Sequence, residues 1–143
     1  AERNRKRPSC HPDQERLMSK LTFEVPWSAL CSKNAKWIGR YSKVLSPKYR
    51  DAMTSCGALA VKAAIKQRWK QTPLRCRVVV EITEPDHLVR DAYNFGECLL
   101  DALTKCTAER IWNDDCQARD VRFFFREKPD KQTAGAVITV ETL

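Results

Sequence analysis

The chain has 143 residues, 43% of them hydrophobic, which suffices for one domain with a real core and is too short for two domains of ordinary size. Its 26 lysines and arginines exceed its 18 aspartates and glutamates, and the resulting net charge of +8 favours a polyanionic partner. No apolar run approaches the roughly 18 residues that a membrane span needs, and nothing at the start resembles a signal peptide, so we expect a soluble, cytoplasmic protein.

Residues 1–19 are polar, basic and without periodicity. A basic arm of this kind can follow a DNA backbone, or it can be a solvated tail. We therefore divide the chain into an N-terminal arm, residues 1–19, and a domain, residues 20–143. The next segment, residues 20–25, alternates apolar and polar side chains and predicts a half-buried strand that ends at Pro26.

Residues 27–43 mix cations with aromatic rings, including Lys33, Lys36 and Arg40. This mixture suits a nucleic-acid surface, because cations meet phosphates while rings stack on unpaired bases. The alternative is a loop whose rings lie in the core while its lysines face water. Ser46 and Pro47 then predict a helix start, with the hydroxyl as cap and helical spacing to about residue 69.

The second half of the chain predicts three strands and one helix. Residues 75–83 form a nearly continuous apolar run, typical of a central strand buried on both faces. Residues 95–106 have the apolar spacing of a helix. Residues 121–125 and 136–140 predict two strands that form an antiparallel hairpin. The expected fold is α/β (α+β mixed), with a mixed sheet of about four strands and two main helices.

Seven cysteines, an odd number, include no Cys-x-x-Cys pair, and no histidine stands at zinc-finger spacing. Cys98 and Cys106 fit the apolar stripe of the predicted helix, and Cys76 opens a predicted strand. We interpret these three thiols as small buried hydrophobic groups in a reducing cytosol, which argues against a structural zinc site.

Acidic residues stand at both ends of the predicted helix over residues 95–106. Asp91 precedes this helix, and Asp114 and Asp115 follow a loop that can fold back along it. Asp91 and Asp115 could then converge, and an oxygen-only site of this kind suits Mg²⁺ or Mn²⁺. The alternative is that Asn94 or Asp91 caps the helix while Asp114 and Asp115 form a solvated turn.

Three pieces of this stretch, in order, resemble the signature of the RusA family of Holliday junction resolvases. They are Arg90-Asp91-Ala92-Tyr93-Asn94, Asp101-Ala102-Leu103-Thr104-Lys105 and Trp112-Asn113-Asp114-Asp115-Cys116-Gln117. The chain departs from the family at two positions. Tyr93 stands where the family has its second core acid, and Glu97 stands where a basic residue is usual.

The resemblance implies a single RusA-like domain that cuts four-way junction DNA as a homodimer, in DNA recombination and repair, by Mg²⁺-dependent phosphodiester hydrolysis, with Mn²⁺ as a possible substitute. The implied metal ligands are Asp91 and Asp115, with Asp114 in support. Asn94 would orient the ligands, and Glu97 could partly replace the missing acid. The implied DNA-binding residues are Lys33, Lys36, Arg40, Arg90 and Lys105.

Two other functions remain open. The first is a catalytically impaired RusA-like protein that binds branched DNA without cutting it, because losing a core acid at Tyr93 and reversing a charge at Glu97 is what such drift would produce. The second is a basic interaction module with no nucleic-acid role.

Overall fold

The computed structural model describes residues 20–39 and 44–143. The predicted N-terminal arm, residues 1–19, and the predicted DNA-binding residue Arg40 lie outside this part of the chain. Within it, no helix is long and apolar enough to cross a membrane.

The described residues form two helices, a four-stranded sheet and a small two-stranded sheet, which confirms the expected fold class. The helices are α1 (Pro47–Lys66) and α2 (Tyr93–Lys105). The strands are β1 (Lys20–Pro26), β2 (Trp37–Ile38), β3 (Val44–Leu45), β4 (Cys76–Thr83), β5 (Ala118–Phe125) and β6 (Gly135–Thr142). Short 3-10 turns at Trp27–Ala29, Lys33–Ala35 and Asp115–Gln117 connect them.

The main sheet has the strand order β1-β6-β4-β5. Strand β4 runs antiparallel to β6 and parallel to β5, so it lies between the two closing strands. The predicted β5–β6 hairpin is therefore wrong, although both strands exist. The segment between them, residues 126–134, is long enough to cross over β4. A two-residue hairpin turn, in contrast, joins only adjacent strands.

One face of the sheet packs against the helices and carries the core. Buried side chains alternate along β1 and β4, and Val78, Val80 and Ile82 are fully enclosed while Val79 and Glu81 are only half-buried. The prediction that residues 75–83 are buried on both faces is thus wrong. An apolar run was compatible with either arrangement, because β-branched residues such as Val79 also suit a half-exposed strand face.

The other face of the sheet has ion pairs across neighbouring strands. Arg77 bonds to Asp120 at 2.8 Å and to Glu141 at 3.2 Å, and Arg122 bonds to the same Asp120. These cations hold the pKa of Asp120 below its usual range, with Arg122 the larger cause. Opposite charges across adjacent strands stabilise the sheet, and Arg77 and Arg122 on this face are bound to carboxylates of the chain itself.

Helix α1 begins as its sequence predicts, since the Ser46 side chain accepts a hydrogen bond from the backbone N–H of Tyr49 at 3.1 Å. Its packing against α2 is close at Gly57, where a β-carbon would overlap the backbone and side chain of Cys106. Among the cysteines, Cys76 and Cys98 are buried free thiols, as predicted, whereas Cys106 is only half-buried. Burial raises the pKa of Cys76 to about 11, so this thiol is inert at neutral pH.

Candidate functional site

The first turn of α2 is held by Asp91. Its Oδ1 accepts a hydrogen bond from the backbone N–H of Tyr93 at 3.0 Å, and its carbonyl accepts one from Asn94 N–H at 3.1 Å. An aspartate side chain satisfies the free N–H groups of a helix start in this way. The N-cap itself is Ala92, which makes no side-chain capping bond, so Asp91 contacts the helix start from one residue before the cap. The role of Asp91 as a metal ligand stays a prediction.

Lys36 connects the basic loop to α2. Its Nζ lies 2.5 Å from Oε1 of Glu97 and 3.4 Å from Oδ2 of Asp101. Burial alone would lower the pKa of Lys36, but the hydrogen bonds and charges of the two carboxylates raise it overall. The Lys36 side chain is only 15% exposed, so its ammonium charge is committed to these acids.

The backbone at Lys36 is also fixed. The Lys36 carbonyl accepts a hydrogen bond from Ser46 N–H at 2.8 Å, and the Ser46 hydroxyl donates to the carbonyl of Ala35 at 2.5 Å. Because Ser46 is the cap of α1, the same lysine joins the N-terminus of α1 to the middle of α2. The loop is positioned by two helices rather than by its own sequence.

Asp101 receives a second donor from α1. The Tyr49 hydroxyl donates to Oδ2 of Asp101 at 2.8 Å, and Lys105 lies 4.0 Å from Oδ1. Burial raises the pKa of Tyr49, and the hydrogen bond to Asp101 and its negative charge raise it further. Asp101 thus joins Tyr49, Lys36 and Lys105 in one network between the two helices.

Asp114 and Asp115 form a mutually perturbed pair at the turn before β5. The hydrogen bond to Asp114 raises the pKa of Asp115, and partial burial and the charges of Asp114 and Asp101 add to the effect. The pKa of Asp114 is lowered, chiefly by its hydrogen bond to Asp115. The negative charge of Asp101 therefore acts on Asp115. This interaction was not predicted from the sequence.

Across residues 20–39 and 44–143, no group of three or more His, Cys, Asp and Glu side chains is arranged to hold a metal ion. Asp91 is engaged at the helix start and Glu97 by Lys36, while Asp115 responds to Asp101 and Asp114. Asp91, Asp114 and Asp115, the carboxylates predicted to bind Mg²⁺, are therefore not arranged as one such group among the described residues. Their assignment as ligands stays a prediction.

Trp112 and Gln117, the two ends of the third motif, anchor its loop. Trp112 is fully buried and donates its indole N–H to the Thr104 hydroxyl at 3.0 Å. The Gln117 amide nitrogen donates to the carbonyls of Thr72 and Leu74 at 2.7 and 2.8 Å. Its amide oxygen accepts from the backbone N–H groups of residues 113 and 114. Both side chains stabilise the position of the acidic turn.

The remaining cations occupy different environments. Arg90 bonds to Asp86 at 2.7 Å and to Glu84 at 3.2 Å, and its guanidinium lies 5.0 Å from the centre of the Trp27 ring. Lys33 places its Nζ 4.9 Å from the centre of the Tyr93 ring. The Lys105 side chain is 62% exposed. Of these three cations, Lys33 and Lys105 are the better placed to meet a phosphate, and DNA contact stays a prediction for all three.

The hydrogen bonds of Lys36 and Tyr49 to Asp101 were not predicted from the sequence. Tyr49 follows the apolar spacing of α1 and gave no sign of a polar partner, and Asp101 was noted only within the second motif. The contact joins residues 65 positions apart, and helical periodicity carries no information about which loop returns to a helix face.

A scan against models of known protein families finds no match for this chain, and no curated protein sequence matches it.

Proposed function

We propose that this protein binds branched DNA, and four-way junctions in particular, without cutting it by a metal-dependent reaction. The observation that carries this proposal is the position of Lys36, whose ammonium lies between Glu97 and Asp101. These are the two carboxylates of α2, the helix that follows Asp91.

Glu97 and Asp101 carry like charges one helical turn apart on α2. Carboxylates that converge in a partly buried site require a cation between them, and here the chain supplies that cation itself. A divalent ion at the same place would have to displace an ammonium that is held by two acids. Asp91 is separately engaged by the backbone of the first turn.

DNA as the partner is supported by the net charge of +8 and by the resemblance of residues 90–117 to junction resolvases. It is also supported by the distribution of ion pairs. Arg77, Arg122 and Arg126 on the open sheet face are each bound to a carboxylate. On the helix and loop side, Lys33 lies over the Tyr93 ring, and Lys105, although 4.0 Å from Asp101, keeps a side chain that is 62% exposed. A homodimer would present that side twice, matching the two-fold symmetry of a junction.

The second candidate is the Mg²⁺-dependent endonuclease that the resemblance implies. It is favoured by the raised pKa of Asp115 beside Asp114 and Asp101. Perturbed carboxylates that lie close together occur at functional sites as well as in structural networks. In this candidate, Asp115 would be the residue most sensitive to substitution by asparagine.

The experiment is a binding titration of a synthetic four-way junction and of a linear duplex of equal length, in buffer containing EDTA. We expect the junction to be bound at least about tenfold more tightly, with affinity falling steeply as salt rises, because phosphate contacts release counterions. Equal affinity for the two DNAs would contradict structure-selective binding, and no affinity for either would remove DNA as the partner.

Two charge reversals locate the surface. Lys33→Glu and Lys105→Glu should each weaken junction binding and reduce its salt dependence. Lys62→Glu, the same charge change at an exposed position of α1, serves as the matched control. If all three variants lose affinity equally, the binding reflects overall charge rather than a surface at this end of α2.

A further inference from the structure

Tyr93 is an exposed aromatic side chain held in place by three separate contacts. It is 61% exposed, although it begins a helix next to the core. Its backbone N–H is bonded to Asp91, its ring meets Phe123 nearly edge-on, with centroids 5.9 Å apart, and Lys33 lies 4.9 Å from the ring centre. A large aromatic surface that is both exposed and immobilised requires an explanation.

The contact with Phe123 depends on Gly96. A β-carbon at Gly96 would overlap the Phe123 ring, so the glycine lets that ring lie directly against the first turn of α2. Glycine inside a helix costs about 1 kcal/mol relative to alanine. This cost is offset by a packing arrangement that also supports Tyr93.

Tyr93 has a cation beside it and follows a loop with exposed apolar side chains. The loop that leads to it contains Leu88, 67% exposed, and Val89, fully exposed. This loop is held by the bonds of Arg90 to Glu84 and Asp86. An exposed ring with a cation beside it and apolar neighbours in the preceding loop has the chemistry that binds a nucleobase and its phosphate together.

We propose that Tyr93 is a stacking site for an unpaired nucleobase, with Lys33 contacting the adjoining phosphate. The inference rests on the proposed function and extends it, because it names unpaired bases, at a branch point or in a single strand, as what the surface binds. A fully paired duplex presents no base face to Tyr93, whereas an opened branch point or a single strand does.

The Tyr93 ring is already held by contacts within the protein in the absence of DNA. Stacking on a side chain that is already fixed avoids the entropy of ordering it. The three contacts on Tyr93 come from Asp91 before the helix, Phe123 on β5 and Lys33 on the 3-10 turn. Tyr93 therefore replaces the charge of an acid at this position with a ring that can stack.

The test uses DNA carrying 2-aminopurine, whose fluorescence is quenched when it stacks on an aromatic ring. Wild-type protein should quench 2-aminopurine placed in a short single strand or at the centre of a junction, and should not quench it within a paired duplex. Tyr93→Phe should retain quenching and affinity, since phenylalanine also stacks. Tyr93→Leu should lose the quenching and about tenfold in affinity for the single strand.

Duplex binding should change less than about twofold in Tyr93→Leu, and both variants should melt within a few degrees of wild type. Gly96→Ala, which displaces Phe123, should reduce quenching even though Tyr93 is still present. If Tyr93→Leu quenches like wild type, or loses duplex and single-strand affinity equally, the stacking site is refuted.

The two proposals fail differently. A wild-type protein that prefers junctions, with quenching independent of Tyr93, would overturn only the stacking site. A protein that binds a single strand through Tyr93 but does not prefer junctions would overturn only the proposed function. A protein that binds no DNA would overturn both.

Discussion

The Lys36 ammonium lies 2.5 Å from Oε1 of Glu97, across 61 residues of sequence. This contact joins a 3-10 turn in the basic loop to α2. It places a positive charge of the chain between Glu97, which could partly replace the missing core acid, and Asp101, which was not among the predicted ligands.

Lys36→Met should destabilise the fold by about 1–3 kcal/mol, because it leaves Glu97 and Asp101 close together without their cation. The measurement is the free energy of unfolding in urea at neutral pH. Lys62→Met, which removes an exposed lysine from α1, should change it by less than about 0.5 kcal/mol. Equal values for the two variants would show that the Lys36 contacts contribute nothing.

Tyr49→Phe tests the pH dependence of the same network. The pKa of Tyr49 is raised above its usual value of 10 in the folded protein, so above pH 10 the folded protein keeps a proton that the unfolded chain has lost. The free energy of unfolding should therefore decrease as the pH rises above 10. The part of this decrease that comes from Tyr49 should be absent from Tyr49→Phe.

At neutral pH, Tyr49→Phe should be less stable by about 1.5 kcal/mol, because Asp101 loses a hydrogen-bond donor. The difference between the two proteins should shrink between pH 10 and 11, since every other group titrates equally in both. Thermal melting from pH 7 to 11 measures it, and parallel curves throughout would contradict the hydrogen bond between Tyr49 and Asp101.

Gln117→Glu should be more damaging than Gln117→Ala. Alanine removes four hydrogen bonds, at a cost of about 1–3 kcal/mol, whereas a carboxylate would face the carbonyls of Thr72 and Leu74. Hydrogen exchange should show faster exchange at residues 113–117 in both variants. Unchanged exchange in this segment would mean that the acidic turn is held by other contacts, such as the burial of Trp112.

The helix elements of this fold follow closely from local sequence signals. Ser46 and Pro47 predict the start of α1, and the apolar spacing around Cys98 predicts α2 to within two residues at its start. Both signals act over one or two helical turns, which is the distance over which caps and periodicity operate.

The strand order and the site could not be predicted in the same way. The sequences of β5 and β6 are compatible with a hairpin and equally with pairing to β4. The sequence of a strand does not determine which strand it pairs with. The partners of Lys36 and the ring contact of Tyr93 with Phe123 depend on the tertiary arrangement. The bond of the Asp91 side chain to the backbone N–H of Tyr93, in contrast, is local.

Gly57→Ala tests the close packing of α1 on α2 apart from any function. The added methyl group would overlap Cys106, so we expect a loss of about 1–3 kcal/mol from overpacking, despite the higher helix propensity of alanine. Ala58→Gly, at an exposed position one residue along the same helix, should cost only about 1 kcal/mol, through propensity alone. A more stable Gly57→Ala protein would show that the helices can separate without cost.

A cleavage assay on a labelled four-way junction, with binding measured in parallel, in EDTA, Mg²⁺ and Mn²⁺, tests whether the protein binds the junction without cutting it. We predict the same junction affinity in EDTA as in either metal, and intact strands throughout, because Lys36 already supplies the cation between Glu97 and Asp101. Nicking in Mg²⁺ or Mn²⁺ that is abolished by Asp115→Asn would contradict this account and support the endonuclease.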